Sequence, residues 1–358
     1  MSEERVLIKG NEAVAYAAVQ AGCKCYFGYP ITPQNEIPEL LSRLLPENGG
    51  VFVQAESEVG TANMLLGAGA CGIRAMTSSS GPGIDLMQEG ISYMIGSEIP
   101  AVIVNMSRGG PGLGSLDATQ GDYYQSTRGG GHGAGRTLVL APSTCQECYD
   151  MVIEAFDLAF KYRNPVLVLG DAVVGQLKEP VRRWTPQQPP DDKAEAWCLE
   201  GTGRHEPRLL KSVYLEDGAL AERHRMLEAK YAAMTAETRV EAHLIDDAEL
   251  VVVAFGSMAR IARGAVDLAR REGFRIGLAR PLTLFPFPSA YFAELAAKGK
   301  RFLVIEQNCG QMVDDVRLAV RRHADADFYG VMPGIFVDAE EILQPVLDSL
   351  RGQTDVRR

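Results

Sequence analysis

Absences narrow the reading of this sequence first. No apolar stretch approaches the roughly 18–20 residues needed to span a bilayer. The first residues, MSEERVLIKG, lack the apolar core of a secretory signal. Positive charge is scarce: 36 Lys and Arg stand against 46 Asp and Glu, a net charge of −10, and no basic stripe relieves it. A nucleic-acid partner is therefore disfavoured. No HExxH, GxSxG or Walker motif occurs, and the turn Ser78–Gly83 is neither a Walker A loop nor a GxGxxG fingerprint. The run NPVLVLGD (164–171) does not continue as a GDG…N diphosphate-binding motif, so nothing here holds a nucleotide or a magnesium diphosphate unaided. Cysteine is thin as well. Cys23, Cys25, Cys71, Cys145, Cys148, Cys198 and Cys309 are odd in number and have no framework spacing, which reads as reduced, cytoplasmic thiols. The single CxxC at Cys145 and Cys148 has no second pair to make a zinc ribbon and no cluster of four for iron and sulfur, and it reads as structural.

What is present is an ordinary globular composition, 46% hydrophobic and 23% charged over 358 residues, enough for two domains. Apolar runs that do not alternate with polar residues suggest strands buried on both faces: 24–30, 50–56, 73–79, 100–108, 136–142 and 165–171. Helical patterns lie between them at Glu58–Cys71, Ile84–Ser97 and Ser143–Tyr162. This is the α/β pattern of a doubly wound parallel sheet. The pattern breaks over 176–247, where WTPQQPPDD is Pro-rich and AERHRMLEAKYAAMTAETRVEAH is charged and helical, so this stretch is expected to be a linker with a helical excursion. Alternation resumes at LVVVAFGS (250–257), FRIGLARP (274–281) and RFLVIEQN (301–308), giving a first domain over 1–175 and a second, smaller α/β domain over 248–358.

Ligands of open α/β sheets sit at the carboxyl ends of strands. Four unusual segments fall there. YFGYPITPQNEIPE (26–39) combines Gly, two prolines, Thr and Asn between an apolar and an amphipathic run. Glu56-Ser57-Glu58 closes a strand and opens a helix, where an acid is either an ordinary cap or a catalytic carboxylate in a cleft. Ser78-Ser79-Ser80-Gly81-Pro82-Gly83 is either a tight turn or an anion-binding helix start. Arg108 heads RGGPGLG, where a guanidinium beside bare backbone suits capture of a carboxylate, although a surface Arg reads the same way. The Gly-rich run continues to His132, either an acid–base group or an ordinary loop residue. Four such strand ends argue for a site against a linker.

YPITP (29–33), SEVG (57–60), SSGPG and RGGPG, in this order, resemble the α subunit of the 2-oxoacid:ferredoxin oxidoreductases, which are thiamine-diphosphate enzymes. RGGPGLG followed by GGGHG is most similar to the 2-ketoisovalerate type, with the 2-oxoglutarate type next. VVVAFGS, RPLTLFPFP and VIEQN resemble the family's transketolase C-terminal-type domain, and the first domain then corresponds to the pyrimidine-binding fold. The resemblance implies that Glu58, not Glu56, hydrogen-bonds the pyrimidine of thiamine diphosphate. It implies that Thr32 and Arg108 bind the 2-oxoacid and that Pro30, Ile31, Ser80 and Gly81 line the cofactor. It also implies half an active site. A β subunit would bind the diphosphate and Mg2+, and partner subunits, including γ and a ferredoxin-like δ, would carry the iron–sulfur clusters. The implied reaction is oxidative decarboxylation of a 2-oxoacid, with coenzyme A taking the acyl group and ferredoxin the electrons, in the cytoplasm. A 2-oxoglutarate enzyme would want an extra cation, for which Arg128 and Arg136 are candidates; pyruvate and aromatic 2-oxoacids stay open. Readings of another class are a non-oxidative thiamine-dependent decarboxylase subunit and a non-catalytic scaffold.

Overall fold

In the computed structural model, described over residues 5–183, 196–199 and 208–352, the chain opens with strand β1 (Arg5–Lys9) and helix α1 (Gly10–Gln20). There follow β2 (Cys25–Gly28), α2 (Glu36–Glu47), β3 (Val51–Gln54), α3 (Glu58–Ala70), β4 (Ala75–Ser79), α4 (Pro82–Ser97) and β5 (Ala101–Ser107). A Gly-rich loop leads to the short helix α5 (Tyr123–Arg128), then β6 (Leu138–Leu140), α6 (Cys145–Tyr162), β7 (Pro165–Asp171), α7 (Ala172–Gln176) and β8 (Lys178–Arg182). The second half contains α8 (Ala219–Met234), β9 (Val240–His243), β10 (Leu250–Val253), α9 (Gly256–Arg271), β11 (Ile276–Pro281) and β12 (Thr283–Phe285). It ends with α10 (Ser289–Ala297), β13 (Arg301–Glu306), α11 (Met312–Val320), β14 (Ala326–Gly330) and α12 (Ala339–Leu350).

The non-alternating apolar runs become central strands because both of their faces are covered: every residue of β5 and of β7 is buried. The first sheet has the order β12-β6-β7-β5-β4-β2-β3, parallel throughout except for β12. One face packs Tyr26, Met76, Val104 and Val168 against α1, α2 and α6. The other packs Ile103 and Leu167 against Leu65 of α3 and Ile84, Met87 and Ile91 of α4. The second sheet runs β14-β13-β10-β11-β9, parallel except for β9. The chain is thus two doubly wound α/β units.

One edge strand crosses between the units. β12, from the second half, pairs with β6 of the first sheet. Within the stretch 176–247, β8 pairs antiparallel with β1, and β9 forms the edge of the second sheet beside β11. WTPQQPPDD lies outside the described residues. The α4-side core runs on without a break from Ile103 through Tyr123 and Leu284 to Phe255, Phe302 and Val304.

In each sheet one pair of neighbouring strands sends its connections in opposite directions, and such points open crevices at strand carboxyl ends. In the first sheet the connection from β2 leads outward to β3 while that from β4 leads the other way to β5, so the crevice lies between β2 and β4. In the second sheet the same event falls between β10 and β13. There Gln120 from the first unit spans the two strand ends, donating from Nε2 to the Phe255 carbonyl at 2.7 Å and accepting at Oε1 from Gln307 N at 3.1 Å. Its own backbone bonds Gln307 O and Asn308 Nδ2. The second crevice is therefore filled by protein, and the first is left as the candidate site.

Candidate active site

Four segments meet at the β2/β4 crevice. The turn after β2 contains Pro30 and Pro33, which have no N–H to donate, so its shape depends on donors from elsewhere. Arg108 Nη1 donates to Thr32 O at 3.0 Å, and Asn11 Nδ2 and Gln176 Nε2 donate to Pro33 O at 2.7 and 3.1 Å. Gln34, fully buried, accepts from Ser78 Oγ at 2.5 Å, and Ser78 is bonded in turn to the Tyr26 hydroxyl at 2.8 Å. Pro30 is exposed, while Ile31 and Thr32 are half-buried.

After β3, Ser57 adopts an extended conformation and its side chain accepts from Gly60 N at 3.3 Å, which starts α3. Glu58 follows as the first helical residue. The helix dipole favours its charge there, yet the side chain is only 5% exposed, and among the described residues nothing donates to its carboxylate. Its oxygens are not among the sealed, unsatisfied atoms of the protein, so the carboxylate keeps an opening through which a donor can reach it. Glu56, by contrast, is exposed and folds back over Gly60.

After β4, Gly81 adopts φ +35 and turns the chain into α4. Ser79 and Ser80 are fully buried, and their hydroxyls have no partner among the described residues. A Cβ built on Gly83 would lie 2.1 Å from Ser79 Oγ and 2.4 Å from Glu58 Oε1, so the start of α4 closes directly on both groups. Arg108, at the end of β5, is buried; Nη2 donates to Leu113 O at 3.2 Å, and Nε is buried without a partner among the described residues. Its Cγ lies within contact distance of a Cβ built on Gly81. Glu58, Ser79, Gly81, Arg108 and Thr32 thus form one continuous set, which holds orphaned buried hydroxyls, an orphaned guanidinium N–H and an unpartnered carboxylate.

His132 stands apart. It is exposed on the loop beside α4, where its carbonyl accepts from Ser92 Oγ at 3.4 Å. Arg128 points at the second unit, with Nη1 and Nη2 on the two oxygens of Asp315 at 3.0 and 2.9 Å, while the Tyr123 hydroxyl also donates to Asp315 at 2.6 Å. Arg136 bonds the Arg128 carbonyl and lies over the Phe285 ring. Among the described residues no group of three or more His, Cys, Asp or Glu is arranged to hold a metal ion.

Sequence reasoning missed the groups behind the turn. Asn11 and Gln176 belong to no motif. Glu36, which joins them, was visible only as an acid in the first turn of a helix. Burial alone would raise the Glu36 carboxyl, but hydrogen bonds from Lys9, Asn11 and Gln176 hold it below its ordinary range. Asp122, after the Gly-rich loop, was also unforeseen. Burial raises its carboxyl, against hydrogen bonds from Asn105 and Ser107. The one sequence cue to these residues was their polarity next to strand ends.

The described residues fit an aminopyrimidine cofactor, since Glu58 lacks a donor and the serines beside it lack partners. Comparisons with known proteins point the same way. Residues 16–245 match the thiamine-diphosphate-binding domain of pyruvate flavodoxin/ferredoxin oxidoreductase, and residues 248–342 match core domain II of pyruvate:ferredoxin oxidoreductase. The chain is 48% identical to ketoisovalerate oxidoreductase subunit VorB of Methanothermobacter thermautotrophicus, covering 98% of this chain and 99% of that one. It is 35% identical to 2-oxoglutarate synthase subunit KorA of the same organism, over 96% and 98%. Among solved structures, 2-oxoglutarate:ferredoxin oxidoreductase from Magnetococcus marinus superposes with a TM-score of 0.86 at 25% identity, over 97% of this chain and 66% of that one. A split-gene transketolase shares the fold, with a TM-score of 0.59 at 13% identity. A domain match over most of the chain and end-to-end similarity to these subunits place the chain in the pyruvate flavodoxin/ferredoxin oxidoreductase family.

Proposed function

We propose that this chain is the α-type subunit of an enzyme that oxidatively decarboxylates 2-ketoisovalerate to an acyl-coenzyme A and carbon dioxide, passing two single electrons to ferredoxin. The observation that carries the reading is Glu58, a largely buried residue whose carboxylate has no donor among the described residues, set against Gly83 in one crevice with Thr32 and Arg108. Thiamine diphosphate, when bound, supplies a nucleophilic carbon and an electron sink. Glu58 accepts a hydrogen bond from the pyrimidine ring nitrogen and so holds the proton there, which tunes the ring's amino group as a base. Ile31 and Pro30, with Ser80 and Gly81, would line the cofactor when it is bound. Arg108 offers its free Nε–H to the carboxylate of the 2-oxoacid, and the Thr32 hydroxyl, which accepts from Asn35 at 3.2 Å, donates to the substrate.

The chain offers no diphosphate motif, so a β-type partner supplies the diphosphate and Mg2+ half, and further γ- and δ-type subunits carry the iron–sulfur clusters to ferredoxin. Electrostatics favour a monocarboxylic substrate over 2-oxoglutarate. A distal carboxylate wants a free cation, and Arg128 is paired bidentately with Asp315, while Arg136 is stacked and bonded beside it. The similarity to VorB agrees with that preference.

The test is Glu58→Gln in the assembled complex. Turnover should fall by at least about 1,000-fold, in the range of lost acid–base and electrostatic roles, with assembly intact. Near-normal turnover would remove Glu58 from the chemistry and with it the core of this reading.

A further inference from the structure

The turn that carries Thr32 is held from behind by groups that belong to none of the family-like motifs. Asn11 sits in the first turn of α1 and Gln176 ends α7, 165 positions apart in sequence, yet both amides donate to the carbonyl of Pro33, at 2.7 and 3.1 Å. The same two nitrogens also reach Glu36 Oε2, at 2.7 and 3.0 Å. Lys9 Nζ completes the set, on Glu36 Oε1 at 2.7 Å and on Gln176 Oε1 at 2.8 Å. Chemistry fixes which way the amides face. Both partners of Asn11 Nδ2 are acceptors, and Gln176 Oε1 faces an ammonium, so in each amide the nitrogen must point at the turn. The packing behind is equally closed: a Cβ on Gly10 would strike the Val174 carbonyl at 2.1 Å, and Gly175 lies against Asn11. In front, Arg108 grips the adjacent carbonyl of Thr32.

We propose that Asn11 and Gln176 are positioning residues for the 2-oxoacid, fixing the Pro33 carbonyl so that Thr32 and Arg108 meet the substrate in one geometry. This rests on the substrate-binding reading of Thr32. A proline turn has few donors of its own, so its conformation is set by whatever bonds its carbonyls. Two amide donors locked by one carboxylate and one ammonium give a single arrangement, and substrate binding then costs no reorganisation of the turn.

The experiment uses the assembled complex and steady-state reduction of a viologen by 2-ketoisovalerate. Asn11→Asp and Gln176→Glu each turn a donor into a carboxylate facing Pro33 O and Glu36. Each should raise the KM for the 2-oxoacid about tenfold, the effect of one lost hydrogen bond to a mispaired group. Half-saturation by coenzyme A and by thiamine diphosphate should stay within about twofold. Gln176→Ala, at an exposed position that tolerates change, should raise the same KM about threefold, and it keeps the test alive if Asn11→Asp fails to fold. Unchanged KM in the folded variants would overturn the inference. So would a rise shared equally by 2-oxoacid, coenzyme A and cofactor, which marks a merely structural role. Thr32→Val separates the two levels. If it leaves the 2-oxoacid KM unchanged, the reading of Thr32 falls and takes this inference with it. If it raises KM while the amide variants do not, only the inference falls.

Discussion

Gly83 faces the carboxylate of Glu58 so closely that a Cβ on it would lie 2.4 Å from Oε1. Two helix starts, α3 and α4, converge on one charged group, and only a residue without a side chain lets them do so. Gly83→Ala should therefore move Glu58 or α4 by a fraction of an ångström and lower kcat/KM about 100-fold, as small misplacements at reacting centres do. Alanine is the better helix former by about 1 kcal/mol, so thermal stability should fall far less than activity. Parallel losses of both would contradict this.

Asp315 takes three hydrogen bonds across the two units, two from Arg128 and one from the buried hydroxyl of Tyr123. The Arg128 side chain is 42% exposed, so solvent screens its share. The larger penalty comes from Tyr123, left without an acceptor in a dry site. Asp315→Ala should cost about 2–3 kcal/mol in urea unfolding, and Asp315→Asn, which keeps a carbonyl for Tyr123, clearly less. Equal costs would show that the Tyr123 bond contributes nothing.

Glu147 meets Arg280 at 2.5 Å across the same interface, with Ser143 beside them. Burial alone would raise the Glu147 carboxyl, but the hydrogen bond and charge of Arg280, with Ser143, hold it below its ordinary value of 4.5. A carboxylate depressed in the folded state adds stability above pH 4.5, and loses it as pH falls below that value towards the folded pKa. The stability difference between the native protein and Arg280→Gln should accordingly be full near neutral pH and shrink on acidification below pH 4.5. A difference that grows as the solution is acidified would reverse the sign assigned here.

The cysteines divide by environment. Cys71 and Cys309 are exposed, whereas Cys23, Cys145, Cys148 and Cys198 are buried. Burial pushes the thiols of Cys23 and Cys145 up to about 12, with Glu179 adding to the effect at Cys145. The thiolate is the reactive form, so iodoacetamide at neutral pH should label Cys71 and Cys309 in the native protein well before the others. Fast modification of Cys145 would show that the CxxC is reactive and not structural.

The strands were legible where both faces are buried. The apolar runs at 100–108 and 165–171 became Ala101–Ser107 and Pro165–Asp171, nearly whole. At 136–142 only Leu138–Leu140 is strand, although Ala141 N still bonds Leu282 O at 2.9 Å. Edge strands escaped. Thr283–Phe285 has three residues among prolines, and Val240–His243 follows a charged helix; both exist through a long-range partner that no local pattern discloses. The candidate site showed in the sequence as strand-end segments around Thr32, Glu58, Ser80 and Arg108, because such positions combine polar residues with Gly and Pro; the choice of Glu58 over Glu56 and the role of Thr32 came from the family resemblance. Asn11, Gln120 and Gln176 were not, since an isolated amide on a helix or loop shows nothing until its acceptor is known. His132 shows the converse: a lone His in a Gly-rich run drew notice, and the structure sets it on the surface beside α4.

The central claim is a monocarboxylic 2-oxoacid bound by Thr32 and Arg108 and oxidised with coenzyme A. Its most direct test is viologen reduction by the natively purified complex, supplied with thiamine diphosphate and coenzyme A, across a panel of 2-oxoacids. The account predicts fast, coenzyme A-dependent turnover of 2-ketoisovalerate and weak turnover of 2-oxoglutarate. A preference for 2-oxoglutarate would contradict the substrate assignment. No coenzyme A-dependent reduction with any 2-oxoacid, in a complex shown to hold cofactor and clusters, would contradict the function itself.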